Sequence, residues 1–125
     1  MSETEKRNQS AEDYLERILL LSRENAEVHR VDIAKALGVS GAAVNKAMKL
    51  LMEKGYLYED GMHLRFTAEG ERYATEIFDR HCVIQEFLVK IGVTEGQAEQ
   101  DACKMEHLVS EETFKAMKEY IKKQS

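Results

Sequence analysis

The chain has 125 residues, a net charge of −5, a hydrophobic fraction of 43% and a charged fraction of 33%. This composition excludes a strongly basic nucleic-acid protein, and the absence of Pro with only seven Gly favours a mainly helical fold. No apolar run is long enough to span a membrane and "MSETEKRNQS" lacks a signal-peptide pattern, so we expect a cytoplasmic location.

The first half of the sequence has the element order of a winged helix-turn-helix. Ser10 is the predicted N-cap of a first helix, "AEDYLERILLLSRE"; a short helix, "VDIAKAL", ends at Gly38, and Ser40 starts a third, "GAAVNKAMKLLMEK". Two short β-type runs follow, with Asp60 and Gly61 as the predicted two-residue hairpin turn. A small β-hairpin in this place is the wing.

The second half is predicted to be helical throughout. Thr67 caps a long helix that ends at Gly92, "TEGQAEQDACKMEHLV" forms a fifth helix, and Ser110 caps a sixth. The segment with a net positive charge lies outside this half. Residues 29–66 contain six Lys or Arg against four Asp or Glu, a net +2, which leaves −7 for the rest of the chain. A locally basic segment in an acidic chain is typical of a protein that reads DNA with one element.

The third helix has the two faces of a recognition helix, with Val44, Met48 and Leu51 on the apolar one. On the other face, Asn45 could bond an adenine edge and Lys46 a guanine or a phosphate. The candidate DNA contacts are Ser40, Ala42, Ala43, Asn45, Lys46, Lys49 and, in the wing, Arg65, with His63 as a further candidate. The same pattern also fits a solvated surface helix, and winged helices can bind protein instead.

Metal-capable side chains recur in the helical half. Cys103, Glu106 and His107 are spaced i, i+3 and i+4, which would place a thiol, a carboxylate and an imidazole on one helix face. Asp13 and Glu16 lie three apart in the first helix. These candidate ligands also have ordinary structural explanations, because free cysteine is often buried and acidic residues are favoured near helix N-termini.

The sequence resembles the metal-dependent repressors of the diphtheria-toxin-repressor and manganese-transport-regulator family. The similar stretches include "AEDYLERILLL", "DIAKALGVSGAAVNKAMKLL", "RHCVIQEFLVKIGV" and "ACKMEHLVSEE". The resemblance implies a mainly α homodimer, in which a winged helix-turn-helix DNA-binding domain (1–70) is joined by a long linker helix to a C-terminal helical domain (71–125) for metal binding and dimerization. Matched by position, the implied metal ligands are Asp13, Glu16, His81, Cys103, Glu106 and His107.

Four positions depart from the family pattern. The manganese-sensing branch usually has glutamate where Cys103 stands, and the iron-sensing branch has methionine where Asp13 stands. Gln85 and Glu99 replace a glutamate and a histidine of the iron branch's ancillary site, which puts that second site in doubt. On ligand softness, a thiolate together with carboxylates favours Fe(II) slightly over Mn(II).

The implied function is metal-responsive repression of metal-uptake genes by a non-enzymatic protein. When Fe(II) or Mn(II) is bound, the homodimer is expected to bind a palindromic operator in double-stranded DNA. Three alternatives remain at this stage: a redox-sensing winged-helix regulator that uses Cys103, a small metalloenzyme, and a winged-helix protein-interaction module.

Overall fold

A computed structural model describes residues 3–25 and 27–124 of the chain. Its elements in chain order are α1 (Glu3–Glu24), α2 (Arg30–Leu37), α3 (Gly41–Glu53), β1 (Leu57–Asp60), β2 (His63–Phe66), α4 (Ala68–Lys90), α5 (Glu95–Met105) and α6 (Glu111–Gln124). The chain separates into two compact units between Thr75 and Glu76, inside α4. The fold class is confirmed: a winged helix-turn-helix precedes a helical unit. The functional boundary after residue 70 stays a prediction.

The first unit is built on the apolar stripes of its three helices. Its fully buried side chains include Leu15, Ile18, Ile33, Val44, Met48 and Leu51. The caps expected from sequence are present: Gly38 has a φ of 67°, and the Ser40 hydroxyl accepts from the Ala43 N–H at 3.1 Å. Thr67 Oγ1 likewise accepts from the Gly70 N–H at 3.0 Å, which starts α4.

Two sequence predictions for this unit are wrong. α1 begins at Glu3, so Ser10 lies inside the helix rather than at its N-cap; "ETEKRNQ" contains no Gly or Pro to stop the helix from extending backwards. The hairpin turn consists of Gly61 and Met62, because Asp60 pairs with His63 in the ladder. Gly61 takes the first turn position with a φ of 67°, which glycine adopts without steric cost.

The second unit has its own core, formed by the later part of α4 with α5 and α6. The buried members are Ile84, Leu88, Ala98, Ala102, Phe114 and Met117. Ser110 caps α6 as predicted, since its hydroxyl accepts from the Thr113 N–H at 3.2 Å. Among the helices in the described part of the chain, none has the length and apolarity that a membrane crossing requires.

The fifth helix is shorter than predicted. It ends at Met105, and Glu106 is its C-cap, so Glu106 and His107 lie in the turn that follows. Arg80 of α4 explains this end, because its Nε donates to the Glu106 carbonyl at 3.1 Å and its Nη2 donates to the Val109 carbonyl. Its Nη1 also bonds Glu111 Oε1 at 2.8 Å. A guanidinium that donates hydrogen bonds to carbonyls at the end of a helix stabilises a non-helical turn there, so the helix does not continue.

Candidate metal centre and DNA-reading face

The second unit contains a buried carboxylate, that of Glu106. The Glu106 side chain is 0% exposed, and its Oε2 is 3.0 Å from His81 Nδ1 while its Oε1 is 3.3 Å from His107 Nε2. The two imidazoles are themselves only 10% and 2% exposed. Because an ionised carboxylate is costly to bury without donors or a cation, this cluster is poised to hold positive charge.

A thiol completes a set of three donor types. One ligand atom each from His81, Cys103 and Glu106 lie within 4.8 Å of one another. Bonds from a divalent transition metal to imidazole nitrogen or thiolate sulfur are about 2.0–2.3 Å long, so ligands on opposite sides of one ion are roughly 4–4.6 Å apart. The spacing of the three atoms therefore fits one ion after small side-chain movements, and Cys103 is exposed enough to admit it.

Two elements position these groups. His81 follows Ile77 on α4 by four residues, and its ring is parallel to that of Phe78, with an interplanar angle of 6° and centroids 6.4 Å apart. Cys103 belongs to the last turn of α5, and the turn held by Arg80 presents Glu106 and His107.

Sequence reasoning missed Arg80. An arginine beside a candidate ligand is visible in the sequence, but the carbonyls that it reaches are 26 and 29 residues away.

The remaining predicted ligands belong to the other compact unit. Asp13 is half-buried and Glu16 is 8% exposed, both on α1. Of the ancillary-site positions, Gln85 is half-buried and Glu99 is exposed, and Glu99 joins no group of three His, Cys, Asp or Glu ligands among the described residues.

The outer face of α3 carries the predicted DNA contacts. Ala42, Asn45, Lys46 and Lys49 are exposed, and Ala43 is half-buried. Ser40 is exposed as well, although its hydroxyl caps the helix. Small residues at the start of α3 leave its backbone accessible to a groove, and the lysines supply the charge that phosphates require.

Two of the predicted polar contacts, Asn45 and Arg65, are bonded to other side chains of the chain. Arg30 Nη1 donates to Asn45 Oδ1 at 2.9 Å, and Arg30 Nη2 is 3.0 Å from Glu59 Oε1 in the wing. Arg65 Nε donates to Asp60 Oδ2 at 3.0 Å. Arg30 was not among the predicted contacts, but its bond to Asn45 places a further cation beside the outer face of α3. The Asn45 amide group keeps its own N–H donors for a base edge.

Family models match both halves of the chain. The iron dependent repressor N-terminal DNA binding domain matches residues 8–62, and the iron dependent repressor metal binding and dimerisation domain matches residues 67–124. A winged helix-turn-helix followed by a metal-binding helical unit defines a metal-dependent transcriptional regulator. The chain belongs to the iron-dependent repressor family, and its partners are DNA and a second copy of itself.

Individual relatives of the chain are also transcriptional regulators. The chain is 38% identical over 119 residues to an uncharacterized HTH-type transcriptional regulator of Methanocaldococcus jannaschii, covering 93% of this chain and 95% of the relative. It is 41% identical over 120 residues to the transcriptional regulator MntR of Escherichia coli, covering 94% and 76%. The solved structure of the manganese regulator SloR superposes with a TM-score of 0.79 at 25% identity, over 90% of this chain and 53% of SloR, so the chain spans about half of that protein. These relatives favour none of the three alternatives considered from the sequence.

Proposed function

We propose that this chain represses metal-uptake genes when a divalent metal ion binds at the cluster around Glu106. The single observation that supports it most is the buried Glu106 carboxylate between His81 and His107, with the Cys103 thiol within ligand distance. A divalent ion supplies the positive charge that this set of donors favours. Without the ion, the two neighbouring imidazoles contribute to the compensation of this carboxylate.

We further propose that the α1 carboxylates, Asp13 and Glu16, belong to the same ligand set, as the family resemblance implies. Joining ligands from both compact units to one ion would make metal occupancy control how the winged helix is held. A ligand shifts such an equilibrium only by its differential affinity for the two states, and typical couplings are about 1–3 kcal/mol.

Mn(II) is our first choice of metal. The name of the SloR relative, a manganese regulator, supports it over the Fe(II) that ligand softness favours. Cys103 keeps Fe(II) as the second candidate, because a thiolate raises affinity for Fe(II) and later metals more than for Mn(II). Which metal the site binds in the cell also depends on metal availability. As a DNA-binding regulator of uptake genes, the protein would act in the cytoplasm.

For the operator, we propose a palindrome read by two copies of α3. A twofold dimer presents its recognition helices to half-sites one or more DNA turns apart. Asn45 would read a base edge, and Lys46, Lys49 and Arg65 would contact phosphates or guanine, with the small residues Ser40, Ala42 and Ala43 allowing close approach.

One experiment tests this function. The full chain selects duplexes from random DNA, and binding of the selected duplex is then measured by fluorescence anisotropy against buffered Mn(II), Fe(II) and Zn(II) in reducing, oxygen-free buffer. We expect metal to raise affinity by roughly 5- to 150-fold, the range of a 1–3 kcal/mol coupling. Equal affinity of the loaded and metal-free forms would overturn the proposal.

A pair of variants tests the reading face. Lys46→Ala should weaken binding to all sequences and reduce the salt dependence by about one phosphate contact. Asn45→Ala should instead lose about 1–3 kcal/mol of discrimination at a single base. Lys90→Ala, an exposed lysine at the end of α4, is the charge-matched control and should leave both properties unchanged.

A further inference from the structure

A second cluster of metal-capable side chains lies at the base of the wing. The chain has four histidines; His81 and His107 flank Glu106, and the other two, His29 and His63, lie together in the first unit. Their rings make an edge-on contact with centroids 4.8 Å apart and an interplanar angle of 80°. Glu27 Oε2 is 3.7 Å from His63 Nε2.

Glu27, His29 and His63 form what we call the wing-base cluster. One ligand atom from each of the three lie within 4.8 Å of one another, the same limit that the His81, Cys103 and Glu106 group meets. None of the three belongs to the metal centre or to its family-implied ligand set. Two imidazoles and one carboxylate are a donor set that suits a divalent ion such as Zn(II), Co(II) or Ni(II).

The strand geometry explains why these side chains meet. Val28 and Leu64 form an antiparallel β-bridge, and the Leu64 N–H donates to the Val28 carbonyl at 2.8 Å. Both side chains are buried, at 1% and 4% exposure. Because successive residues of extended chain point to opposite faces, the neighbours of this buried pair point outward. His29 and His63 are therefore cross-strand neighbours, and Glu27 lies diagonally across from His63.

A carboxylate outside the cluster lies beside one of the imidazoles. Asp32 Oδ2 accepts from the His29 backbone N–H at 2.9 Å and lies 3.5 Å from His29 Nδ1. Metal-ligating histidines almost always have such a partner on the nitrogen that does not bind the metal. With Nδ1 facing Asp32, His29 would coordinate through Nε2.

We propose that the wing-base cluster binds one divalent ion of the zinc class, with water completing the coordination. The side chains of Glu27, His29 and His63 are 61%, 37% and 28% exposed, so the ion has access from solvent. The bound ion ties β2 to the start of α2 and so holds the wing against the helix-turn-helix. Mn(II), the weakest binder in the divalent series, occupies this cluster least. The proposal does not depend on the metal centre's function, because the two sites share no residue.

Cobalt distinguishes the two sites in the intact protein. The full chain is titrated with Co(II) under reducing, oxygen-free conditions while its absorption spectrum is recorded. A thiolate-to-Co(II) charge-transfer band reports the metal centre through Cys103, whereas the wing-base cluster has no sulfur and contributes only ligand-field bands. We expect a further equivalent of Co(II) to bind with no increase in the charge-transfer band.

Substitutions of the proposed ligands test where this further equivalent of Co(II) binds. The double variant His29→Gln, His63→Gln should lose binding of this equivalent and keep the charge-transfer band. Circular dichroism without metal checks that the double variant is folded. Asp32→Asn, which retains an oxygen acceptor for the His29 N–H, should weaken binding of this equivalent about 10-fold, as loss of an outer-shell partner typically does. Glu27→Gln removes the anionic ligand and should weaken binding of this equivalent, whereas its control Glu24→Gln, at the exposed end of α1, should have no effect.

A second measurement covers the case in which the double variant misfolds. In a His81→Gln, Cys103→Ser, His107→Gln background, Zn(II) is added while the histidine ring signals are followed by NMR. Perturbation of both remaining rings, His29 and His63, at one equivalent supports the site. Unperturbed rings, or a sulfur-free Co(II) equivalent that survives loss of both histidines, would refute it.

Discussion

The metal centre and the wing-base cluster use similar donors in opposite environments. Each has two imidazoles and a glutamate, but the Glu106 side chain is 0% exposed while that of Glu27 is 61% exposed. A buried carboxylate has lost its water and must be compensated by neighbours or by an ion, whereas an exposed one exchanges water for metal at little cost. If both sites bind metal as proposed, burial would link metal binding to the conformation of the protein at the first site, whereas binding at the second site would act locally.

The largest expected effect comes from removing the buried charge. Glu106→Gln keeps the size of the side chain but loses the anionic ligand, so the metal-dependent gain in DNA affinity, about 5- to 150-fold, should disappear. Anisotropy titrations with and without Mn(II) measure this gain. Glu99→Gln, at an exposed glutamate of α5, is the matched control. A Glu106→Gln protein that still responds fully to metal would remove Glu106 from the centre.

Arg80 should have the next largest effect, through position rather than coordination. Its side chain is 18% exposed, and its guanidinium bonds two backbone carbonyls and Glu111 across the turn that carries Glu106. Arg80→Ala should lower the free energy of unfolding by about 2 kcal/mol, because hydrogen bonds from a charged donor are lost. The midpoint temperature of thermal unfolding and the metal affinity should both decrease in this variant.

A lysine at this position separates charge from geometry. Arg80→Lys retains the positive charge but lacks the planar fork that reaches several acceptors at once, so it should restore only part of the loss. If Arg80→Ala lowers stability and leaves metal affinity unchanged, the turn does not position the ligands.

Cys103 sharpens the comparison between the two sites, since it is the donor that the wing-base cluster lacks. Cys103→Glu replaces a soft ligand by a hard one, and we expect the ratio of Co(II) to Mn(II) affinity at the metal centre to fall about tenfold. Competition between the two metals, measured at equilibrium, gives this ratio. An unchanged ratio would mean that the thiol does not bind the ion. Cys82→Ser, at an exposed cysteine of α4, is the control.

Most signals whose partners are near in the chain predicted the local structure, although Ser10 proved to lie inside α1 and not at its N-cap. The caps at Ser40 and Thr67 are hydrogen bonds between residues three apart in the chain, and the residue types alone predicted them. The Asp60 and Gly61 signal marked the hairpin but missed its register by one residue, because Gly61 occupies the first turn position. The fold class followed from these elements in order.

Long-range contacts were beyond that reasoning. Cys103, Glu106 and His107 were selected by helical spacing, yet α5 ends before Glu106 because Arg80, far earlier in the chain, bonds the turn. The wing-base cluster was not predicted either. His63 is 34 residues from His29, and only the Val28–Leu64 bridge brings them together.

The smallest effect is expected for the exposed carboxylate, and it tests whether burial is what separates the two sites. Without metal, Glu27→Gln should change the free energy of unfolding by less than about 0.5 kcal/mol, as surface substitutions usually do, because water solvates the side chain in either form. Glu106→Gln under the same metal-free conditions should change it by more, since its two imidazole neighbours lose a charged partner. Denaturant unfolding in the presence of chelator measures both. Equal changes for the two variants would show that burial does not set the difference, and the coupling assigned to the metal centre would need another source.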